Sequence, residues 1–400
     1  MKYNFNEIID RRGTATIAYD GQHKVYDYEN LEPFWIADMD IKTPNYIIDH
    51  LKNKLDQAHF GYLVWKQDEY LNAIKHWYKT RFSVNVQKND IYYVPSILFT
   101  VTEVIREFTK EGEGVLIHTP SYNAFLNLIK GNKREAVESP LIATEEGYKL
   151  DVEQFEKMAS REDVKVLILC NPHNPTGKVW TKEECEQIKE ICVKHDVFIV
   201  SDEIHMDFVR SKNGFYSMTN LMQLDSPIVV VTGLGKTFNL ASLASSYMIT
   251  KHRFFTLQFN RKLATYYGLS AANTLAVEAV KVAYTQSAEW VDQLNEHIER
   301  NMTILKEFVD NEMSDQLDFI KPESTYLAWV DFSKSGYKEA EVQKALQSVG
   351  KIATGIGHSF ELGESHHFRL NLACSEDKLK GGLKSIKQSF NALKNGEIQE

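Results

Sequence analysis

Short apolar runs recur through the middle of the chain, and they restrict its fold more than any other feature. Ile91 to Val94, Val115 to Ile117, Val164 to Leu169, Val197 to Val200 and Ile228 to Val231 are rich in β-branched and aliphatic residues. They are too short for helices and they do not alternate with polar residues, which is the pattern of strands buried on both faces. Helical patterns lie between them. After Pro95, the residues Ile97, Leu98, Val101, Val104, Ile105 and Phe108 recur at three-and-four spacing. Thr181 and Glu184 form a capping-box pattern that opens a helix to about Lys194. Glu111-Gly112-Glu113-Gly114 marks a turn. Strands joined through helices predict an α/β fold with a mostly parallel sheet sandwiched by helices.

From about Ala288 the pattern changes. A long helix through Asn301 is followed by strand-like runs at Tyr326 to Phe332 and Phe368 to Leu372, which suits a separate α+β lobe. The 400 residues contain nine prolines and no low-complexity segment, repeat or evident linker. The expected organisation is one continuous body. Residues 1–48 join a small domain, 49–287 form the large domain, and 288–400 complete the small one.

The bulk composition excludes several partners. The formal net charge is -9 and no basic run stands out, so neither nucleic acid nor an anionic membrane is implied. No apolar stretch has the length to span a bilayer, and Met1 to Asp10 does not read as a signal or transit peptide. Cys170, Cys185, Cys192 and Cys374 contain no pair at zinc or redox spacing. Reduced thiols in a cytoplasmic protein are expected. Asp202 and His205 could start a metal site, but no third ligand is evident, and no metal is expected.

In sheets of this kind ligands gather at the carboxyl ends of the strands. Those ends carry Asn171 to Gly177, Ser201 to His205, and Thr232 to Lys236. An amide, a carboxylate and an amine therefore face one rim. Gly235-Lys236-Thr237 matches the tail of a phosphate-binding loop, but the glycine required five residues before Gly235 is Val230, inside a strand.

The other use of such a lysine is to form an imine with the aldehyde of pyridoxal phosphate. That cofactor has specific needs. Its ring nitrogen needs a buried carboxylate, and Asp202 is the candidate. Asn174 offers an amide to the ring oxygen, and Tyr122 an aromatic face. Ser96, Ile97 and Leu98 open a helix whose amides suit the phosphate. Arg369 offers a fork for a substrate carboxylate. Each residue alone has a structural explanation, as a cap, a turn, core packing or an ion pair. Their joint occurrence at strand ends does not.

These residues resemble those of fold-type I pyridoxal-phosphate enzymes of the aminotransferase class I/II superfamily. Within it, the chain is similar to the MalY/PatB cystathionine β-lyases. The matching segments are Trp35-Ile36-Ala37-Asp38-Met39-Asp40, Phe60-Gly61-Tyr62, Asn171 to Gly177, Ser201 to His205, Lys236 to Ala241, Thr325 to Trp329 and Phe368 to Asn371. The resemblance implies that Lys236 bonds to the cofactor, Asp202 pairs with its ring nitrogen and Asn174 with its ring oxygen, with His205 near. It implies that Tyr122 stacks on the ring and Arg369 binds the α-carboxylate. Trp35, Asp38 and Tyr326 would line the substrate entrance, beside Asn174. Tyr62 would reach the phosphate in the other subunit of a homodimer with shared active sites. Two positions depart from the family: Gly235 replaces a serine and Ser96 a glycine. Thr232 and Ser246 are the candidates to compensate at the phosphate.

Two reactions begin alike, with a lysine removing the Cα proton. Many aminotransferases of the superfamily carry an arginine eight residues after the lysine, where this chain has Ala244. The expected activity is therefore that of a cysteine-S-conjugate β-lyase, which releases thiol, pyruvate and ammonia. The alternatives are an aminotransferase, or a cofactor-binding regulator with residual lyase activity.

Overall fold

The computed structural model describes residues 2–212, 214–269 and 271–398. Its strands in chain order are β1 (Glu32–Phe34), β2 (Ile91–Tyr93), β3 (Gly114–Thr119), β4 (Glu135–Pro140), β5 (Ile142–Thr144), β6 (Gly147–Lys149), β7 (Val164–Cys170), β8 (Phe198–Asp202), β9 (Ile228–Gly233), β10 (Ser246–Thr250), β11 (Asp318–Phe319), β12 (Leu327–Asp331), β13 (Ile352–Ile356) and β14 (His367–Asn371). The β-branched runs form the centre of a seven-stranded sheet of order β2-β10-β9-β8-β7-β3-β4. Neighbours from β9 to β4 are all parallel. Every residue of β3, β8 and β9 is buried. Ile228 and Val230 pack into one core and Val229 and Val231 into another, so the sheet is covered on both faces as the unbroken apolar runs require.

Strand β10 is antiparallel to both its neighbours. The sequence reading did not identify it. It returns from β9 through the Lys236 turn with no crossover helix, and a direct return can only run antiparallel. The capping box is present: Thr181 Oγ1 accepts from Glu184 N at 3.1 Å, and Glu184 Oε2 accepts from Thr181 N at 3.0 Å. It opens the helix Lys182–Lys194.

A second sheet has the order β1-β13-β14-β12-β11. Strand β1, near the N-terminus, pairs in parallel with β13, so both ends of the chain build this sheet. The helix from Ala288 runs to Glu312 rather than stopping at Asn301. Met302, Leu305, Phe308 and Val309 continue its buried face, so nothing ends it earlier. No helix among the described residues is long and apolar enough to cross a membrane.

Candidate active site

Asp202 is the last residue of β8 and is buried. Its Oδ1 accepts the Ile204 N–H at 3.1 Å. Its other oxygen has no protein hydrogen bond among the described residues. Burial raises its pKa to about 7, against the Ile204 N–H and the Lys236 charge, which both lower it. A carboxylate placed this way is completed by a cation.

Strand β9 leads into the Lys236 turn. Lys236 Nζ donates to the Ala37 carbonyl at 2.7 Å. Burial first, and then the charge of Arg369, lower its pKa to about 8, while Asp38 and Asp202 oppose that shift. The turn is pinned from below. Thr237 Oγ1 donates at 2.8 Å to Asp207, a buried carboxylate that also accepts from Trp77 Nε1 at 2.9 Å. Gly235 has a packing reason: a Cβ there would lie 3.3 Å from Ala241 Cα, tighter than an ordinary contact.

Arg369 stands on β14, across the cleft. Its Nη1 donates to Asn174 Oδ1 at 3.0 Å and its Nη2 to the Trp35 carbonyl at 2.8 Å. Nε is buried without a partner among the described residues. The guanidinium lies 4.5 Å from the centre of the Phe360 ring. Burial lowers its pKa to about 10, so it remains charged. Tyr326, fully buried, donates its hydroxyl to the Ala37 carbonyl at 3.2 Å. Residues 35–41 thus form a strap whose carbonyls receive Lys236, Arg369 and Tyr326. Asn371 Nδ2 donates to both Ile36 O and Asp38 O at 2.9 Å, and Asn239 Nδ2 donates to Met39 O at 2.9 Å. The Asp38 carboxylate is ion-paired with Arg11, which also bonds Asp40 at 3.0 Å.

The remaining sequence candidates divide. Tyr122 precedes the helix Asn123–Gly131 at its N-cap position without a side-chain cap bond, and burial raises its hydroxyl pKa, opposed by the Arg369 charge and aided by Asp202. His205 is buried, and burial holds it neutral, with Nδ1 lacking a partner among the described residues. Its ring meets Tyr326 edge-on at 5.8 Å. Ser96 caps the helix Ile97–Phe108 by accepting from Phe99 N at 3.0 Å, so the amides of Ile97 and Leu98 lie in an open first turn. Trp35 donates Nε1 to the Ala18 carbonyl at 3.1 Å and packs edge-on against Tyr26. Tyr62 is fully exposed and is not brought to the cluster within one chain. Thr232 requires a correction. It shares a face with Ile228 and Val230, so it faces away from Val231, which lies beside Asp202. Its hydroxyl donates to the Glu203 carbonyl at 3.2 Å, so it is not part of the cluster.

The sequence reading missed Arg11, Asn239, Asn371 and Phe360 as site-shaping residues. Asn239 and Asn371 lay inside segments already singled out. Arg11 and Phe360 carry no local signal, because only the folded chain brings them to the strap and the guanidinium. A separate hollow of about 730 Å³ lies beyond the strap, among Tyr19, Asp40 and Lys378. Its half-buried amine at Lys378 is already paired with Asp40 and Glu32.

The donor set fits pyridoxal phosphate. It has an amine of lowered pKa, a buried carboxylate with a free oxygen, an aromatic neighbour and an open helix start. Asn174 also keeps its amide nitrogen without a protein partner among the described residues. The aminotransferase class I and II family model matches residues 37–386. Protein MalY of Escherichia coli is 34% identical over 98% of this chain and 100% of its own length. Cystathionine β-lyase PatB of Bacillus subtilis is 32% identical over 97% and 100%. Cystalysin of Treponema denticola, whose structure contains a pyridoxal 5'-phosphate cofactor, superimposes with a TM-score of 0.91. It is 29% identical and covers 98% of this chain and 100% of its own.

Proposed function

We propose, from the premise that this chain belongs to the aminotransferase class I and II family, that it is a pyridoxal-phosphate-dependent carbon–sulfur β-lyase. Its substrates are L-cysteine thioethers of the cystathionine type, like that named for the PatB relative. The observation that carries this reading is the Lys236 amine, lowered to about 8 and set in one cleft with Asp202 and Arg369.

When bound, pyridoxal phosphate supplies a ring that draws electrons from the substrate Cα. Lys236 and Asp202 would hold it, with Asn174 at the ring oxygen and Tyr122 on the ring face. The amides of Ile97 and Leu98, beside Ser96, would take the phosphate, with His205 near the ring. Arg369 binds the α-carboxylate of the substrate, to which its free Nε and an Nη present a fork. Lys236 Nζ, with a pKa near the working pH, removes the Cα proton. The strap and Tyr326 close the cleft around that proton and exclude water. The carbon–sulfur bond then breaks, and the thiolate leaves with the electron pair and takes up a proton. Water converts the three-carbon remainder to pyruvate and ammonia. Ala244, at the position eight residues after Lys236, supports elimination over amino-group transfer.

The same reading extends to assembly and location. Phe60, Tyr62 and Val64 expose large apolar side chains on one segment without secondary structure, which supports a homodimer in which Tyr62 completes the partner's site. The four cysteines are unpaired, which supports a cytoplasmic location. The pairing of β1 with β13 supports a small domain made of residues 1–48 and 288–400 around a large domain of 49–287. The test of the reaction is L-cystathionine with no keto acid added. Pyruvate release is expected, and a strict requirement for a keto acid acceptor would overturn the reading.

A further inference from the structure

Arg210 follows the strand end that bears Asp202 and His205, and its side chain is 7% exposed. A guanidinium has five N–H groups, and here each meets an acceptor. Nε donates to Glu299 at 3.0 Å. Nη1 donates to the carbonyls of Phe208 at 3.0 Å and Thr325 at 2.6 Å. Nη2 donates to those of Pro322 at 3.2 Å and Ser324 at 3.3 Å. The Arg210 backbone N–H adds a bond to the Glu323 carbonyl at 2.8 Å. One side chain therefore gathers the loop that leads into Tyr326 and ties it to the segment after β8.

That loop is under constraint. Thr325 has φ +61, in the left-handed region that a β-branched residue disfavours. Its carbonyl receives the shortest of the Arg210 bonds. From the other side, Ser324 Oγ donates to the Gly177 carbonyl at 2.8 Å, and a Cβ on Gly177 would lie 2.3 Å from Pro322 Cβ. The next residue is Tyr326. Its ring packs edge-on against Phe208 at 4.9 Å, and its hydroxyl meets the carbonyl that also receives Lys236.

We infer that Arg210 is a positioning residue for the active site. It holds Thr325 in its left-handed conformation, and this sets the Tyr326 hydroxyl against the Ala37 carbonyl of the strap. A lysine cannot replace it, because a point ammonium with three donors cannot reach acceptors arranged around a planar fork. The kinetic consequence rests on the lyase reading, whereas the structural one does not.

The test uses Arg210→Lys and Arg210→Gln in the full-length, cofactor-loaded protein. Amide exchange is read without substrate at Leu327, whose N–H is held by Thr325 Oγ1, and at Leu372, held by the Tyr326 carbonyl. Both amides should exchange about tenfold faster or more, with β8 and β9 unchanged. Pyruvate release from L-cystathionine then closes a cycle with Tyr326→Phe. Arg210→Lys alone should lower kcat/KM about tenfold, and less than about twofold in the Tyr326→Phe background. Additive losses would overturn the inference, as would a lowered melting temperature with unchanged exchange at Leu327 and Leu372. If Arg210→Gln fails to fold, Arg210→Lys decides alone. If the unmodified protein releases no pyruvate, the reaction reading fails and exchange still decides the role of Arg210.

Discussion

The rim of the seven-stranded sheet and the strap of residues 35–41 meet at Lys236, yet they are held by opposite means. On the rim, Asp202 is fixed by Ile204 two residues away, and it emerges from a strand buried along its whole length. The strap's own local bond, from the Asp38 N–H to the Ile36 carbonyl at 2.9 Å, ties it only to itself and not to a sheet. The strap is held by Asn239, Arg369, Asn371 and Arg11, which reach it from distant parts of the chain. The groups that would do chemistry thus sit on the rigid element, and the surface that shapes the entrance is tethered to it. Substitutions on the rim should cost turnover, and substitutions that loosen the strap should cost binding.

The largest expected effect is at the rim. Lys236→Ala should lower kcat by about a thousandfold or more, with circular dichroism and melting temperature little changed. Retained turnover would remove the rim from the chemistry. Arg369→Lys keeps the charge and loses the fork. It should lower kcat/KM about a hundredfold, mostly through KM, in steady-state assays. Asn239→Ala cuts the strap's bonds at Met39 and Ile41. A rise in KM of about tenfold with kcat held within about twofold would sharpen the contrast, and a loss confined to kcat would break it.

The smallest effect concerns pH. The Lys236 pKa is near 8 in the folded chain, against an ordinary 10.5. Between these values the unfolded chain binds more protons, so stability rises with pH across that window. In the cofactor-free protein, Lys236→Met should remove that rise. Its melting temperature should exceed the parent's by a few degrees at pH 7, as roughly expected for a relieved buried charge, and the difference should shrink as pH approaches 10.5. An equal difference at both pH values would count against a desolvated amine.

The same contrast explains what could be read in advance. The parallel core was legible because Val197 to Val200 and Ile228 to Val231 announce burial by composition alone, and their ends point to Asp202 and Lys236. Strand β10 was not, since Ser246 to Thr250 mixes polar and apolar residues and its direction depends on how the Lys236 turn closes. Thr232 looked like a rim residue by position, but strand alternation sends it to the other face. Arg210 and Arg11 act through carbonyls and carboxylates far along the chain, so no spacing in the sequence marks them. Gly235 appeared as a departure from the family, and the backbone of Ala241 lies close enough to make a side chain there a tight fit.

The central claim is that Lys236 and Asp202 serve carbon–sulfur cleavage rather than amino-group transfer. The most direct test is the product balance from L-cystathionine with the cofactor-loaded protein. Cleavage predicts thiol and pyruvate in a one-to-one ratio over many turnovers, with no keto acid supplied. Recovery of the intact thioether as its own keto acid, with sulfur still attached and no thiol released, would contradict it.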